Sequence, residues 1–479
     1  MKPLHRFSVM LLMASSPLMV SAATYESSMA DRQDLSLTVY EQSQTLVRDT
    51  RSVQTGQGRF DLVVQDVSER IQPETLMLES NGRLRLSGAT FNTALLTPEN
   101  LMKAYIGKEV TLVHTNPATG QETTKRAKLL SMHGGGIVQV DGHIETVSAD
   151  RLVFDKVPTG LYPSPVLMLD VQGGSGGKQQ VTFDYLTGGL SWQADYTAVV
   201  GQHDDRMSLA SWAVIGNNSG VDYRNAKVQL MSGKQEQGSM YPRAGGMLMM
   251  AKAMDAGSEM VNDTASEESF ADYHLYTVPD KVDILDKQTS RHRLLSADRV
   301  KVVKEYRFNG NQWAYESHQG QSGPVHAGTW LSFDNKKGDG LGLPLPRGTI
   351  RFYQEDRSGN RQLLGQNTIN HTPVDGHLRL RLGEAFDVTM VRKQTGYSQT
   401  ALVRKDGEKV YRTSTSWELT LANGKSDAVT VKVEEPLPEN GRVVEENHPH
   451  KKRDANTIIW QVPVPANGKT VLRYKVQVN

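Results

Sequence analysis

Leu190-Ser191-Trp192-Gln193-Ala194-Asp195-Tyr196 alternates large or apolar residues with polar ones at a strict period of two. That period is the signature of a β-strand with one face in a core and one face wet. Trp192, Ala194 and Tyr196 share one face, and Ser191, Gln193 and Asp195 share the other. A core pair of aromatics on an inter-sheet face explains the spacing better than a ligand platform does.

The same pattern recurs on both sides. Leu35, Leu37 and Val39 alternate with Ser36 and Thr38 near the start; Leu472, Tyr474, Val476 and Val478 alternate with Arg473, Lys475 and Gln477 at the end. Trp417, Leu419 and Leu421 repeat the arrangement, with Trp460 expected to pack nearby. Turn pairs separate the runs: Asn81-Gly82, Asp141-Gly142, Asp375-Gly376, Asp406-Gly407, Asn423-Gly424, Asn440-Gly441 and Asn467-Gly468. Asn or Asp before Gly tolerates the positive φ of tight hairpins. Many short strands with frequent turns predict a mainly β chain of several antiparallel β-sandwich domains with little helix.

A single helix is predicted, over Thr97 to Gly107, with Thr97 as cap, Pro98 at the first position and Gly107 as the stop. It introduces a compact block of strands expected to form a small SH3-like or Sm-like β-barrel. The 479 residues are too many for one core. The expected division is a signal peptide at 1–22, an N-terminal β domain at 23–100, the small barrel at 101–160, a central β-sandwich at 161–388 and an immunoglobulin- or fibronectin-like sandwich at 389–479.

The signal reading rests on Lys2, His5 and Arg6, the apolar run from Val9 to Val20, and the small residues Ser21 and Ala22. It places the mature chain in the periplasm, with secretion as the alternative, and no other segment is apolar enough to span a membrane. The chain holds no cysteine, which excludes disulfides, thiolate metal sites and cysteine catalysis. Lys and Arg together number 54 against 53 Asp and Glu, a balance that argues against nucleic acid as a partner.

Three stretches carry a family resemblance. They are Tyr185 to Tyr196 with Asn218 to Tyr223 and Ala226-Lys227-Val228; Tyr276 to Asp280 through Leu294 to Ala297; and Trp417 to Asn423 with Glu434-Glu435-Pro436-Leu437-Pro438 and the terminal strand. In that order they resemble the bacterial exported proteins grouped as domain of unknown function 4139, with a distant likeness to the mucoidy-inhibitor type. The resemblance implies β-sandwich architecture and export, and it implies no chemistry.

No catalytic set, cofactor site or metal site stands out. Gly173-Gly174-Ser175-Gly176-Gly177-Lys178 matches both G-x-S-x-G and S-x-x-K, but a nucleophile elbow needs a strand-to-helix turn. Here strands are expected on both sides, so the segment reads as a flexible hairpin connection. Ser175 stays as the nucleophile of an alternative hydrolase reading. His448-Pro449-His450 lies beside Lys451-Lys452-Arg453, whose charge opposes a bound cation. Trp313, Tyr315 and Trp330 suit a second alternative, a carbohydrate-binding module.

From 233 to 272 the strand pattern breaks into a Gly-, Ser-, Met- and acid-rich stretch expected to be a mobile insertion, with Ser266-Glu267-Glu268-Ser269 solvated. Met247, Met249, Met250 and Met254 cluster there, suited to docking a partner through adaptable thioethers. The resulting expectation is a non-enzymatic binding or scaffolding protein of the cell envelope, its partner another envelope protein or a glycan.

Overall fold

A computed structural model describes residues 23–41, 43–80, 84–133, 135–233, 266–270, 273–403 and 409–478. The signal segment 1–22, the pairs Asn81-Gly82 and Asp406-Gly407, and Met247, Met249, Met250 and Met254 lie outside the described residues.

The chain is mainly β. Its strands form sheets of ten, nine, five and five strands, and one α-helix occurs among the described residues. That helix, Pro98–Tyr105, begins where the sequence places it: the Thr97 side chain accepts from the Asn100 amide, and Met102 and Tyr105 are buried.

The Leu190–Val200 strand lies at the centre of a five-stranded sheet. Its neighbours are Arg206–Asn217, antiparallel, and Gly348–Glu355, parallel; Gln288–Lys301 and Arg361–Ile369 complete the two sides. Trp192, Ala194 and Tyr196 are buried, as the alternation demands, while Ser191 and Gln193 are exposed. They pack against the ten-stranded sheet, whose Leu35, Leu37, Val39, Phe60 and Phe183 belong to the same core. At about 25 cal/mol per Å² of apolar surface, this shared core dominates the sandwich's stability.

The ten-stranded sheet takes strands from distant parts of the chain. Arg32–Tyr40 pairs in parallel with Tyr223–Ser232, and Gln44–Val64 runs antiparallel along nearly the whole of Val166–Gly188. The nine-stranded sheet wraps its own core of Trp417, Leu419, Leu421, Val433, Trp460, Leu472 and Tyr474. Trp460 does pack there, its ring centroid 4.4 Å from that of Tyr474. The His377–Val403 strand passes through position 388–389 and serves both cores, with Leu378 in the first and Val388 and Met390 in the second. Most ladders are antiparallel, but four are parallel, which local alternation cannot reveal.

Glu109–Thr115 to Leu152–Val153 form the small sheet, in which the last strand returns to pair with the first. Asp141 and Gly142, both at positive φ, make the tight hairpin between Gly136–Val140 and His143–Val147. This is an SH3-like strand order around its own core, with no closed barrel: no ladder joins Leu152–Val153 to His143–Val147.

Two local expectations are corrected. The Gly173–Gly177 segment is no hairpin loop; it lies inside the continuous Val166–Gly188 strand, with a register shift between Gln172 and Ser175. Gly173, Gly174, Gly176 and Gly177 all take positive φ, so the glycines bend a strand where the sequence suggested a reversal. Ser266–Phe270, expected within a patternless insertion, is a strand paired with Tyr273–Thr277; Glu268 and Ser269 are exposed as expected, and Glu267 is bonded to His274 at 2.7 Å.

Candidate functional site

Catalysis by Ser175 would need a sharp strand-to-helix turn, and its backbone instead continues along a ladder opposite Gln57. The structure does assemble a serine, a histidine and an acid elsewhere. Parallel pairing of Met231 with Tyr40 sets the next residues, Ser232 and Glu41, at the same end of adjacent strands. His371, from beyond the Arg361–Ile369 strand, reaches both: Nδ1 lies 3.1 Å from Ser232 Oγ, and Nε2 lies 3.3 Å from Glu41 Oε2.

The geometry fastens; it does not activate. The Arg347 amide donates to His371 Nδ1 at 3.2 Å and occupies the single lone pair that a general base needs. Ser232 is only 3% exposed. Burial pushes the Glu41 carboxyl up, against the opposing pull of His371 and Ser232. The cluster satisfies polar groups where two strands end against a loop.

The other buried charges are also bound to protein. Glu435 meets Arg392 through two hydrogen bonds, at 2.8 and 3.2 Å, and accepts from the Tyr315 hydroxyl at 3.0 Å. The Arg392 guanidinium lies 4.1 Å from the Trp417 ring centroid. Burial pushes Glu435 up despite Arg392. Tyr315 is therefore a core residue and offers no face to a sugar, while Trp313 is exposed and Trp330 half-buried. Asp49 is wedged between Arg51 and Arg32; burial opposes its charge, but the two guanidiniums hold its carboxyl below the ordinary value. His450 bonds Glu446 at 2.8 Å, and no group of three or more metal-ligating side chains occurs among the described residues.

Two of the open concavities among the described residues are large enough for a small ligand. One, of about 520 Å³, is apolar and lies between the Pro98–Tyr105 helix and the segment after the small sheet, with Leu96, Leu101, Met102, Phe154 and Val157 on its walls. The other, of about 430 Å³, is lined mainly by residues with polar side chains and lies on the outer face of the central five-stranded sheet. It is lined by Asp195, Thr197, Val214, Thr289, Ser290, Arg291, Arg351 and Tyr353.

Strand register builds this second trough. Asp195 stands opposite Trp212, Trp212 opposite Arg293, and Val214 opposite Arg291, so their side chains share the outer face. The Arg291 guanidinium lies 4.3 Å from the Trp212 ring centroid, and that of Arg293 lies at 5.3 Å on the same ring. Arg351 donates to Asp195 at 2.6 Å. Arg291 has a different environment: it reaches toward the Thr197 hydroxyl at 3.5 Å, and no carboxylate among the described residues pairs with it. Stacking holds its cation in place and, beyond the long bond to Thr197, leaves it without a carboxylate partner among the described residues. The outward residues of the quoted strand were visible in the sequence, but their meeting with Arg291 and Arg351 depends on pairings that only the fold supplies.

These features define a multi-sheet β protein with an open, cationic and hydroxyl-lined face on its central sheet. The family described as a domain of unknown function (DUF4139) matches residues 181–479, and the chain belongs to that family. The match begins within the Val166–Gly188 strand and contains every residue of the trough, whereas Glu41 lies outside it. None of the curated proteins matches the sequence.

Proposed function

We propose that this chain is a non-enzymatic binding or scaffolding component of the bacterial cell envelope, exported to the periplasm or beyond, and that it binds through the outer face of its central sheet. The observation that carries the reading is Arg291, a cation stacked on Trp212 with no carboxylate partner among the described residues, at the wall of a 430 Å³ trough. A guanidinium positioned in this way is a recognition group. The trough volume falls within the roughly 300–1,000 Å³ typical of small-ligand sites.

Two assays on the purified mature protein test the proposal. Washed envelope fragments should sediment the protein saturably, and Arg291→Ala should weaken that association at least tenfold without changing the melting temperature. Ester, peptide and glycan substrate panels should show no turnover, and a fluorophosphonate should label neither Ser175 nor Ser232. Turnover abolished by Ser175→Ala or Ser232→Ala would replace this reading with a hydrolase.

A further inference from the structure

Resting on that reading, we infer that the trough takes a short acidic oligosaccharide, one whose sugar rings bear carboxylates. Four observations converge on this class.

Charge comes first. Two guanidiniums, Arg291 and Arg351, and one carboxylate, Asp195, line the trough, and Asp195 is engaged with Arg351. A carboxylate on the ligand completes the coordination that Arg291 lacks, and the fork of a guanidinium matches it with two parallel hydrogen bonds.

Hydroxyl groups come second. Thr197, Thr289 and Tyr353 line the same trough, as does Ser290, whose hydroxyl is already bonded to His292 at 2.9 Å. Each both donates and accepts, and Asp195 keeps lone pairs beyond the one used by Arg351. A mixed set of donors and acceptors suits a polyhydroxylated ligand better than a bare anion.

Shape is the third. Val214 and Tyr353 in the lining supply apolar surface for the C–H faces of a sugar ring. The space is open and holds about 430 Å³, as a short chain of rings requires.

The fourth is the backbone. The trough lies over Leu190–Val200, Arg206–Asn217 and Gly348–Glu355, interior strands whose peptide groups are committed to ladders on both sides, and it reaches the edge strand Gln288–Lys301 at Thr289, Ser290 and Arg291. An extended acidic peptide binds sheets by adding a strand at an edge. Over the three interior strands only side chains meet the ligand, which favours recognition through hydroxyls and charge, and an oligoglutamate probe tests the one place, the Gln288–Lys301 edge, where a peptide could add as a strand.

Titration calorimetry on the full mature protein tests the inference, with oligogalacturonate, its fully methyl-esterified form, inorganic phosphate and an oligoglutamate peptide as probes. The acidic saccharide should bind. Methyl esterification and Arg291→Ala should each weaken binding at least tenfold, Arg291→Lys should weaken it less than Arg291→Ala, and raised salt should weaken it progressively. Equal binding of the ester, or tighter Arg291-dependent binding of phosphate or oligoglutamate, would overturn the saccharide assignment while leaving a binding trough intact. Absence of heat with every probe would also overturn it; the envelope-sedimentation result would then decide separately whether the face binds at all.

Discussion

Single residues divide into those that hold the fold and those free to act. Asp184 is fully buried, and burial pushes its carboxyl up to about 6, from an ordinary 3.8, despite Arg48 at 3.0 Å. The folded protein therefore holds this proton more tightly than the unfolded chain. Stability should fall as pH rises through the window between those values, and the full cost should stand above it. Asp184→Asn should stabilise the protein at pH 8 by about 3 kcal/mol and bring no gain near pH 3. Arg48 keeps its second partner, Glu79, at 2.8 Å. Urea unfolding at the two pH values measures the difference. Glu435 is the opposite case: Glu435→Ala should destabilise by about 3–5 kcal/mol because it strands the Arg392 cation in the core. A loss below about 1 kcal/mol by the same method would mean that water replaces the carboxylate.

Among the elements, the alternating strands were legible from the start. Trp192, Ala194 and Tyr196, Leu35 to Val39, and Trp417 to Leu421 all bury the predicted face, because a period of two follows from backbone geometry alone. The helix was equally readable, since Thr97 and Pro98 act locally. The glycine-rich segment was misread because positive φ serves a bulge as well as a turn, and the choice depends on a partner strand. Gly174 shows the constraint: at φ 91, a Cβ placed there would lie 2.5 Å from the Gly56 carbonyl oxygen. Gly174→Ala should cost about 1–3 kcal/mol. Gly177→Ala, strained in φ but with open space around it, should cost less. Thermal melts of the two variants give the order.

For the molecule as a whole, pairing between distant segments decides what periodicity cannot. Neither Ser232 beside Glu41 nor Arg291 beside Trp212 follows from spacing, since each depends on which strand lies next to which. The same pairing ties the two large cores together through the His377–Val403 strand, while the small sheet keeps its own core of Val110, Leu129 and Val138. Calorimetric unfolding should therefore show one large transition for the two sandwiches and a smaller separate one for residues 97–157. The central claim concerns the outer face of the five-stranded sheet. It is tested most directly by placing a photo-reactive phenylalanine analogue at Tyr353, in the trough, and at exposed Ile144, on the small sheet, and irradiating intact envelopes. The account predicts a discrete adduct from position 353 that Arg291→Ala abolishes, and none from position 144. No adduct at 353, or one indifferent to Arg291, would contradict it.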